Sequence, residues 1–451
     1  MAATHSSPGL ASLDFEALLA PFGLSRTDAV AVAVSGGPDS MALLVLAADE
    51  AKKSGRPLHA LTVDHGLRAE ASSEAEQVAA WAKSLGVAHT TLTHEGDAPV
   101  ASIQSEARDI RYGLMGQWCT ANRIAALMVA HTQDDQAETL LLRLARGSGV
   151  DGLSGMAADV TRDGIRIIRP LLEVPRADLM PLLADRKQAY ISDPSNRDER
   201  HARVRMRALK PLLEAEGLTA QRLAETAGRL SVARDALAGW TQSHVAGCVT
   251  FDAGGWAQFD RKRLVTVPLE IGLRSVSRIV MAVGGGVYPP RLHHTRALLD
   301  RLGSAEFSGA TLGGVRFAAH RSGVLAFREA RAMAEPVPIQ GAAPLVWDHR
   351  FEVSLADATG LADAMGQDSG SWSIGALGVR DARRLRDELG PEVLTVPSAA
   401  ASCIPAVYAQ GRLLEVPALG YRPDGGVPSH QIAFVGPMRA GLTEAPIGIE
   451  A

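Results

Sequence analysis

The first part of the chain alternates short apolar runs with stretches of helical periodicity, and this pattern limits its possible folds most strongly. Each run has the length and composition of a buried strand, and a helical pattern follows it. The predicted strands are Ala29–Val34, Leu58–Val63, Val87–Leu92 and Ile124–Ala130, and the predicted helices are Ser40–Lys53, Ser73–Leu85, Ser102–Ala121 and Asp134–Arg146. Repeated strand–helix units predict an α/β fold, a parallel sheet with helices on both faces.

Three polar segments come directly after predicted strands. They are "SGGPDS" at 35–40, "DHGLR" at 64–68 and "HTQDD" at 131–135. Ligands of open parallel sheets bind outside the carboxyl ends of the strands. We therefore expect these three segments to form one site.

The composition restricts the partners and the compartment. The chain of 451 residues has a formal net charge of −4, so a nucleic-acid partner would need a local basic patch. The three cysteines form no Cys-x-x-Cys pair, which argues against a zinc ribbon, an iron–sulfur site or a redox dithiol. Their sparse, odd number fits a reducing compartment. Without a signal-peptide pattern or a membrane-length apolar run, we expect a cytoplasmic protein with no membrane contact.

Changes of pattern predict three domains. Residues 1–215 are expected to form the α/β domain, and residues 216–333 a smaller, mainly helical domain. A segment with three prolines, 334–344, is typical of a linker. The remaining residues, 345–451, carry short strand-like runs broken by Gly and Pro, and they predict a small α+β domain.

The segment "SGGPDS" has the chemistry of a phosphate-binding loop. A strand that enters a helix here places backbone N–H groups at the helix N-terminus, where the glycines let a phosphate approach closely. Hydroxyl donors come from Ser35 and Ser40, and Asp39 could hold a Mg²⁺ ion that bridges phosphate oxygens. A capped turn explains the same residues, so both interpretations stay open on the loop alone. The Gly-Lys-Ser/Thr ending of a Walker A loop is absent.

A second candidate group lies around the predicted helix that begins near Asp134. Asp135 and Glu138 are three residues apart, so a helix places both carboxylates on one face, with His131 just before them. Helix capping explains this pattern as well, with Thr132 or Asp134 as the N-cap and acidic residues favoured in the first turn.

Several motifs occur in the order known from one enzyme family. They are "SGGPDS" (35–40), "VDHGLR" (63–68), "EAR..RY" (106–112), "HTQDDQAET" (131–139), "RGSGVDGLSGM" (146–156), "RPLL...R" (169–176) and "DPSN" (193–196). The first resembles the pyrophosphate loop of the N-type ATP pyrophosphatases, the PP-loop superfamily. Together they resemble the tRNA(Ile)-lysidine synthetase family over about the first 210 residues.

The resemblance implies an ATP-dependent ligase whose cofactors are ATP and Mg²⁺. In that reaction ATP adenylates the C2 oxygen of the wobble cytidine in a tRNA(Ile) with a CAU anticodon. The amine of free L-lysine then attacks C2, and AMP and pyrophosphate are released. The resemblance also makes residues 1–215 a PP-loop ATPase domain and the two later domains tRNA-binding, and a homodimer is left open.

The same resemblance implies roles for individual residues. The catalytic candidates are Asp39, Arg108, Arg111, His131, Asp135 and Glu138, and the cofactor-binding candidates are Ser35, Gly36, Gly37, Pro38, Asp39, Ser40 and Val63. Loop 35–40 would hold pyrophosphate, Asp39 would place the metal, and the backbone at Val63 would face adenine. Arg108 and Arg111 would stabilise charge on the phosphates or the cytosine, and His131 would line the pocket.

The carboxylates have three implied roles that stay open. Asp135 and Glu138 would receive the lysine ammonium, bind Mg²⁺, or help to deprotonate the amine. We expect alanine at Asp39, Arg111, Asp135 or Glu138 to abolish lysine incorporation while the fold is kept.

A basic segment follows the last motif and is a candidate tRNA-binding patch. Its cations are Arg197, Arg200, Arg203, Arg205, Arg207 and Lys210. A solvated helix face is the alternative. Two positions depart from the family pattern: Val204 replaces an asparagine, and Ser402 stands where an arginine is expected.

Three other functions are alternatives to this ATP-dependent ligase. A PP-loop tRNA thiolase would need catalytic cysteines or a Cys-x-x-Cys cluster site, and Cys119 lies inside a predicted helix. An amidating synthetase would need a glutaminase pattern or an ammonia partner. A non-catalytic RNA-binding protein would not need the complete "SGGPDS" and "HTQDDQAET" motifs.

Overall fold

The computed structural model describes residues 13–64, 71–94, 103–162, 164–192, 202–321, 323–339, 343–355, 372–390, 394–423 and 430–442. The chain divides into two compact units, Met1–Arg234 and Asp235–Ala451. Among the described helices, none is both long enough and apolar enough to cross a membrane.

The first unit is built on a six-stranded sheet with the order β3-β2-β1-β4-β6-β5. Its strands are β1 (Val30–Ala33), β2 (Leu58–Asp64), β3 (Ala88–Thr93), β4 (Ala126–Met128), β5 (Asp159–Arg162) and β6 (Ile165–Ile168). All neighbours are parallel except β5, which runs antiparallel to β6 at the edge. The predicted parallel sheet is confirmed, and β5 and β6 extend it beyond the four predicted strands.

The helices of this unit cover both faces of the sheet. They are α1 (Phe15–Leu19), α2 (Pro38–Ser54), α3 (Ala71–Ser84), α4 (Ile103–Ala121), α5 (Gln133–Leu144), α6 (Val150–Leu153), α7 (Arg176–Asp185) and α8 (Ala202–Ala215), and a further helix, α9 (Ala220–Cys248), begins in this unit and ends in the second. Side chains alternate along β1, so Val30 and Val32 pack in the core that contains α2. Ala31 packs on the other face with Tyr112 and Met115 of α4. Burial on both faces explains why β1 is apolar throughout.

The second unit begins with a five-stranded antiparallel sheet with the order β7-β8-β11-β10-β9. The strands are β7 (Val249–Phe251), β8 (Ala257–Phe259), β9 (Gly309–Leu312), β10 (Val315–His320) and β11 (Gly323–Arg328), and the helices are α10 (Arg261–Val265), α11 (Leu269–Gly284) and α12 (Leu292–Gly303). Gly313 and Gly314 join β9 to β10 with φ values of 58° and 74°. Left-handed backbone at both residues makes glycine the favoured choice in this turn.

Two smaller antiparallel sheets complete the second unit. One has the order β12-β15-β16-β17, and the other has the order β13-β14-β18. Their strands are β12 (Val337–Pro338), β13 (Leu345–Trp347), β14 (Phe351–Leu355), β15 (Trp372–Ala376), β16 (Pro405–Ala409), β17 (Arg412–Glu415) and β18 (His430–Phe434), with α13 (Gly378–Leu389), α14 (Ser398–Ala401) and α15 (Gly436–Arg439). The expected linker 334–344 includes β12, which pairs with β15. The three-domain division stays a prediction.

Candidate active site

The loop 35–40 connects β1 to the N-terminus of α2. Gly37 is the N-cap and Pro38 is the first helical residue, a position where proline needs no hydrogen-bond partner for its nitrogen. Gly36 has a φ of 80°, and a Cβ atom there would lie 2.5 Å from Cδ1 of Ile191. The Ile191 N–H also donates to the Gly36 carbonyl at 2.8 Å. Gly36 is therefore required both by its backbone conformation and by the close packing of Ile191.

The two serines of the loop have different surroundings. The Ser40 hydroxyl is buried and donates to the Gly37 carbonyl at 2.9 Å, and it accepts from the Ser35 N–H at 3.2 Å. Ser35 is exposed, with its own hydroxyl 3.2 Å from that of Ser40. Ser40 thus holds the shape of the loop, and Ser35 is the serine that faces solvent beside the positive end of α2.

Asp39 forms an ion pair with Arg176 at the start of α7. The guanidinium Nε donates to the two carboxylate oxygens at 3.1 and 3.0 Å, and a second nitrogen also donates to Oδ2. Burial lowers the pKa of Arg176, but the hydrogen bond and charge of Asp39, together with Asp135 and Glu138, raise it above its usual value. Asp39, the candidate metal ligand, therefore already has a cationic partner.

Asp135 caps α5. The backbone N–H and the hydroxyl of Thr132 both donate to Oδ2 of Asp135 at 3.0 Å, and both residues are buried. This arrangement satisfies an N–H at the helix start, as the capping interpretation expects. The same carboxylate also lies 3.7 Å from Arg176 and 3.8 Å from Arg207. Asp135 thus combines a capping role with a place in a charged cluster.

Glu138 and Asp134 complete the acidic side of α5, and both have cations on α8. Arg207 donates to the two Glu138 oxygens at 2.5 and 3.2 Å. The Lys210 ammonium donates to Asp134 at 2.7 Å, and the Arg176 N–H donates to its other oxygen at 2.9 Å. Burial raises the pKa of Asp134, but these hydrogen bonds and charges lower it overall. We call Asp134, Asp135 and Glu138 the acidic face of α5.

Arginines also gather near His131. Tyr112 of α4 is buried, and the guanidiniums of Arg108 and Arg162 lie 5.1 and 5.2 Å from its ring centre. Arg108 also donates to the Tyr112 hydroxyl at 3.4 Å. Burial lowers the pKa of Arg111. Tyr112 opposes this effect, and the charge of Arg108 adds to it. We call Arg108, Arg111, Arg162 and Arg169 the arginine cluster.

His131 is the point where the arginine cluster meets the acidic face. Arg169 donates from Nε to Nδ1 of His131 at 3.2 Å, so this ring nitrogen acts as an acceptor. Burial lowers the pKa of His131 to about 4, with Arg169 and Arg108 adding to the effect and Asp135 opposing it. The imidazole is therefore neutral at physiological pH. A second Arg169 nitrogen donates to the Ala157 carbonyl at 2.6 Å, which fixes the guanidinium.

Val63 lies one residue before the end of β2. The last register pair between β1 and β2 is Ala33↔Leu61, so Val63 extends past the end of β1. Residues 65–70, which contain most of the "DHGLR" segment, lie outside the described residues. Within the described part, the site thus contains the loop, the end of β2, the acidic face and the arginine cluster.

Known proteins with related sequences identify the family. A model described as a PP-loop domain matches residues 11–213. A tRNA(Ile)-lysidine synthase from Ruegeria pomeroyi is 39% identical over 74% of this chain and 78% of its own length. This chain belongs to the tRNA(Ile)-lysidine synthase family. Relatives with the same name are 42% identical in Rhodopseudomonas palustris, over 61% of this chain and 81% of the relative, and 36% identical in Wolbachia pipientis wMel, over 72% and 77%.

The cysteines argue against the thiolase alternative. Burial raises the pKa of Cys119 to about 12, and Cys119 packs with Met115 and Leu127 in the core of the first unit. Burial also raises the pKa of Cys248 and of Cys403, and both residues lie in the second unit. A thiol nucleophile must be accessible and ionise readily. The family assignment therefore agrees with thiols that are poorly suited to sulfur transfer.

The candidate tRNA-binding patch is divided by the structure. Arg207 and Lys210 form ion pairs with Glu138 and Asp134. Arg203 and Arg205 are exposed on α8. The other two candidates, Arg197 and Arg200, lie outside the described residues. Contact between this patch and tRNA stays a prediction.

Both residues that depart from the family pattern are at least partly buried. Val204 is half-buried on α8. Ser402 is buried, and its hydroxyl donates to the Ala399 carbonyl at 2.9 Å at the end of α14. Position 402 therefore offers no cation to RNA in this chain.

Sequence reasoning did not assign roles to Arg169 and Arg176, although both belong to the "RPLL...R" motif. Arg176 contacts Asp39 and Asp135, and Arg169 contacts His131. The motif was the available signal. The contacts of the two arginines could not be predicted from the motif, because Arg169 directly follows β6 and Arg176 begins α7, and both are far along the chain from their partners.

Proposed function

We propose that this protein joins free L-lysine to C2 of the wobble cytidine of a tRNA(Ile) with a CAU anticodon, in an ATP-dependent reaction that gives lysidine, AMP and pyrophosphate. One observation of the structure supports this most directly. The chain of ion pairs Asp39–Arg176–Asp135–Arg207–Glu138 links the phosphate loop to the acidic face of α5. The ATP and amine sites would therefore be neighbours.

In the first step, the cytosine C2 oxygen attacks the α-phosphorus of ATP and pyrophosphate leaves. Ser35 and the backbone N–H groups at the start of α2 would bind that pyrophosphate. Arg108, Arg111 and Arg169 would stabilise the charge that develops on phosphate and cytosine, because fixed cations in a buried site act strongly on charge formed in the transition state.

In the second step, the lysine amine attacks C2 and AMP leaves with the former C2 oxygen. Glu138 and Asp135 are the proposed receptors for the ammonium of lysine. In the present structure Arg207 contacts both carboxylates, so lysine would share them with this guanidinium or displace it. His131, which is neutral, would line the pocket without adding a positive charge near the amine.

The proposed Mg²⁺ would be held by Asp39 and phosphate oxygens. Among the described residues, no group of three or more His, Cys, Asp and Glu side chains could bind a metal by itself. Magnesium at nucleotide sites often has one or two carboxylate ligands together with substrate phosphates, so Asp39 fits this pattern. The ion would neutralise phosphate charge. Asp39 would then exchange part of its contact with Arg176 for the metal.

The decisive experiment supplies ATP, radiolabelled lysine and tRNA transcripts to the full chain. We expect label in a tRNA(Ile) with a CAU anticodon and none in a CAU transcript with a methionine tRNA body. Asp135→Ala should remove incorporation while the circular dichroism spectrum is kept. Transfer of sulfur instead of lysine would contradict the proposal, and near-normal turnover in Asp135→Ala would remove this residue from the mechanism.

We place the reaction in the cytoplasm, and a homodimer stays a prediction.

A further inference from the structure

A short segment of the second unit exposes three large apolar side chains. Val287, Tyr288 and Leu292 are 71%, 84% and 69% exposed. Single exposed apolar residues are common on protein surfaces, but a cluster within one short segment marks an interaction site more often. The segment lies between α11 and α12, outside the unit that carries the proposed active site.

A cavity of about 220 Å³ lies next to this segment. On the same measure one water molecule needs roughly 10–15 Å³, so the space holds far more than a single water. Val280 and Met281 of α11 and Leu312 of β9 provide apolar surface, and Tyr288 lies at the wall. The cavity therefore combines aliphatic surface with an exposed aromatic ring.

The local backbone holds this cavity open. Gly285 ends α11 with a φ of 67°, and its N–H donates to the Met281 carbonyl. Pro289 and Pro290 then restrict the chain before α12 begins at Leu292. A Cβ atom at Gly313 would lie 2.6 Å from Cγ1 of Val280, so only glycine lets the β9–β10 turn approach so closely.

The charge at the lining of the cavity is positive. Arg291 and His294 line it, and among the described lining residues there is no Asp or Glu. The His293 ring lies 3.9 Å from the His294 ring, centre to centre. A ligand that matches this surface has a flat apolar ring and a negative charge, which is the chemistry of a nucleotide.

We propose that this cavity binds one unstacked nucleotide of the substrate RNA, with its base against Tyr288 and its phosphate at Arg291. The inference rests on the proposed function, which supplies a tRNA as the partner. Proteins that bind single-stranded nucleotides commonly stack a base on an aromatic side chain and hold the backbone with arginine. A protein partner would fit the apolar residues but would not account for the basic lining of the cavity.

The test uses full-length variants and measures tRNA affinity at fixed salt, together with kcat and KM for tRNA in lysine incorporation. Tyr288→Ala should raise Kd and KM between about fivefold and a hundredfold, the range for loss of one base–aromatic stack, with kcat unchanged at saturating tRNA. Tyr288→Trp should restore binding because it restores the ring. Arg291→Gln should weaken binding, whereas Arg26→Gln, a change at an exposed arginine near α1, should leave it unchanged.

Each other outcome has a defined meaning. An unchanged Kd in Tyr288→Ala overturns the nucleotide pocket even when lysine is incorporated normally. Sedimentation equilibrium checks the alternative of a second protein copy: a dimer in the wild type that becomes a monomer in Tyr288→Ala overturns it too. If the wild type binds tRNA through Tyr288 but incorporates no lysine, the proposed function fails and the pocket stands. The exposure of Tyr288 makes a folding defect in these variants unexpected, and thermal unfolding verifies this.

Discussion

The acidic face of α5 and the arginine cluster both lie near His131, and their charged side chains have different partners. On the acidic face, Asp134 and Glu138 each accept a hydrogen bond from a cation of α8. In the arginine cluster, Arg108 donates to the Tyr112 hydroxyl, and Arg169 donates to His131 and to the Ala157 carbonyl.

The pKa shifts follow the same division. The pKa of Arg176, next to the acidic face, is raised by the neighbouring carboxylates in spite of burial. The pKa values of Arg111 and Arg169 are lowered, first by burial and then by effects that include the charge of Arg108. The carboxylates of the acidic face are thus paired with cations of α8, whereas the arginine cluster combines an ion pair, Arg162 with Asp109 at 2.8 Å, with arginines that donate to neutral groups. This contrast fits a lysine site on one side and a phosphate or cytosine site on the other.

The largest effect is expected in the arginine cluster. Arg111→Gln should lower pyrophosphate release from ATP and tRNA about a hundredfold to a thousandfold, because one charged donor to developing charge is lost. The measurement is single-turnover pyrophosphate release without lysine. Arg26→Gln, at an exposed arginine near α1, is the matched control and should retain the wild-type rate. A normal rate in Arg111→Gln would break the assignment of this cluster to the adenylation step.

A smaller effect, on the other step, is expected on the acidic face. Glu138→Gln should raise the KM for lysine about tenfold to a hundredfold, since a charge-assisted contact to the amine is lost. Pyrophosphate release without lysine should stay near the wild-type rate. Glu214→Gln, at an exposed carboxylate near Lys210, is the matched control. Equal losses in both steps would show that the two charged groups do not divide the reaction between them.

The sequence predicted the residues of this contrast better than their contacts. Strand and helix positions follow from local periodicity, and the shared face of Asp135 and Glu138 follows from their spacing on α5. The ion pairs join residues that are far apart in the chain: Arg176 is 137 residues from Asp39, and Arg207 is 69 residues from Glu138. Local patterns contain no information on such pairs, because the pairs depend on how α7 and α8 return to the sheet.

The sequence left open whether Asp135 caps a helix or belongs to a charged site, because both interpretations can hold for the same residue. Asp135 caps α5 through Thr132 and also contacts the arginines of the site. Ser40 shows a related case: its hydroxyl is a candidate phosphate donor by residue type, and in the structure it donates to the Gly37 carbonyl inside the loop. Its contact with phosphate stays a prediction, because the direction of its side chain depends on packing around the loop.

A moderate effect on tRNA affinity is expected for the basic residues of α8. Arg203 is exposed, whereas Lys210 contacts Asp134, so of these two residues Arg203 is the one expected to contact tRNA phosphates. Arg203→Gln should reduce the slope of log Kd against log salt by roughly 0.7 to 0.9, the value for one phosphate contact. Lys210→Gln should leave the slope unchanged. Equal slopes for the wild type and Arg203→Gln would remove this residue from the RNA interface.

The smallest expected effect concerns stability at His131. Its folded-state pKa is about 4, below the ordinary value of 6.5, so the unfolded chain binds a proton that the folded protein does not bind between these values. Stability from the neutral imidazole is therefore present above pH 6.5 and is lost as the pH falls toward 4.

Urea unfolding at pH 7 and pH 5 measures this loss in the wild type and in His131→Gln, which cannot titrate. The wild-type midpoint should fall more than the variant midpoint over this interval. The difference should be well below the full value implied by the shift, because the ring is partly exposed and water screens the arginine charges. A steeper loss in His131→Gln would mean that His131 is protonated in the folded protein, so Asp135, and not burial with Arg169, would dominate its environment.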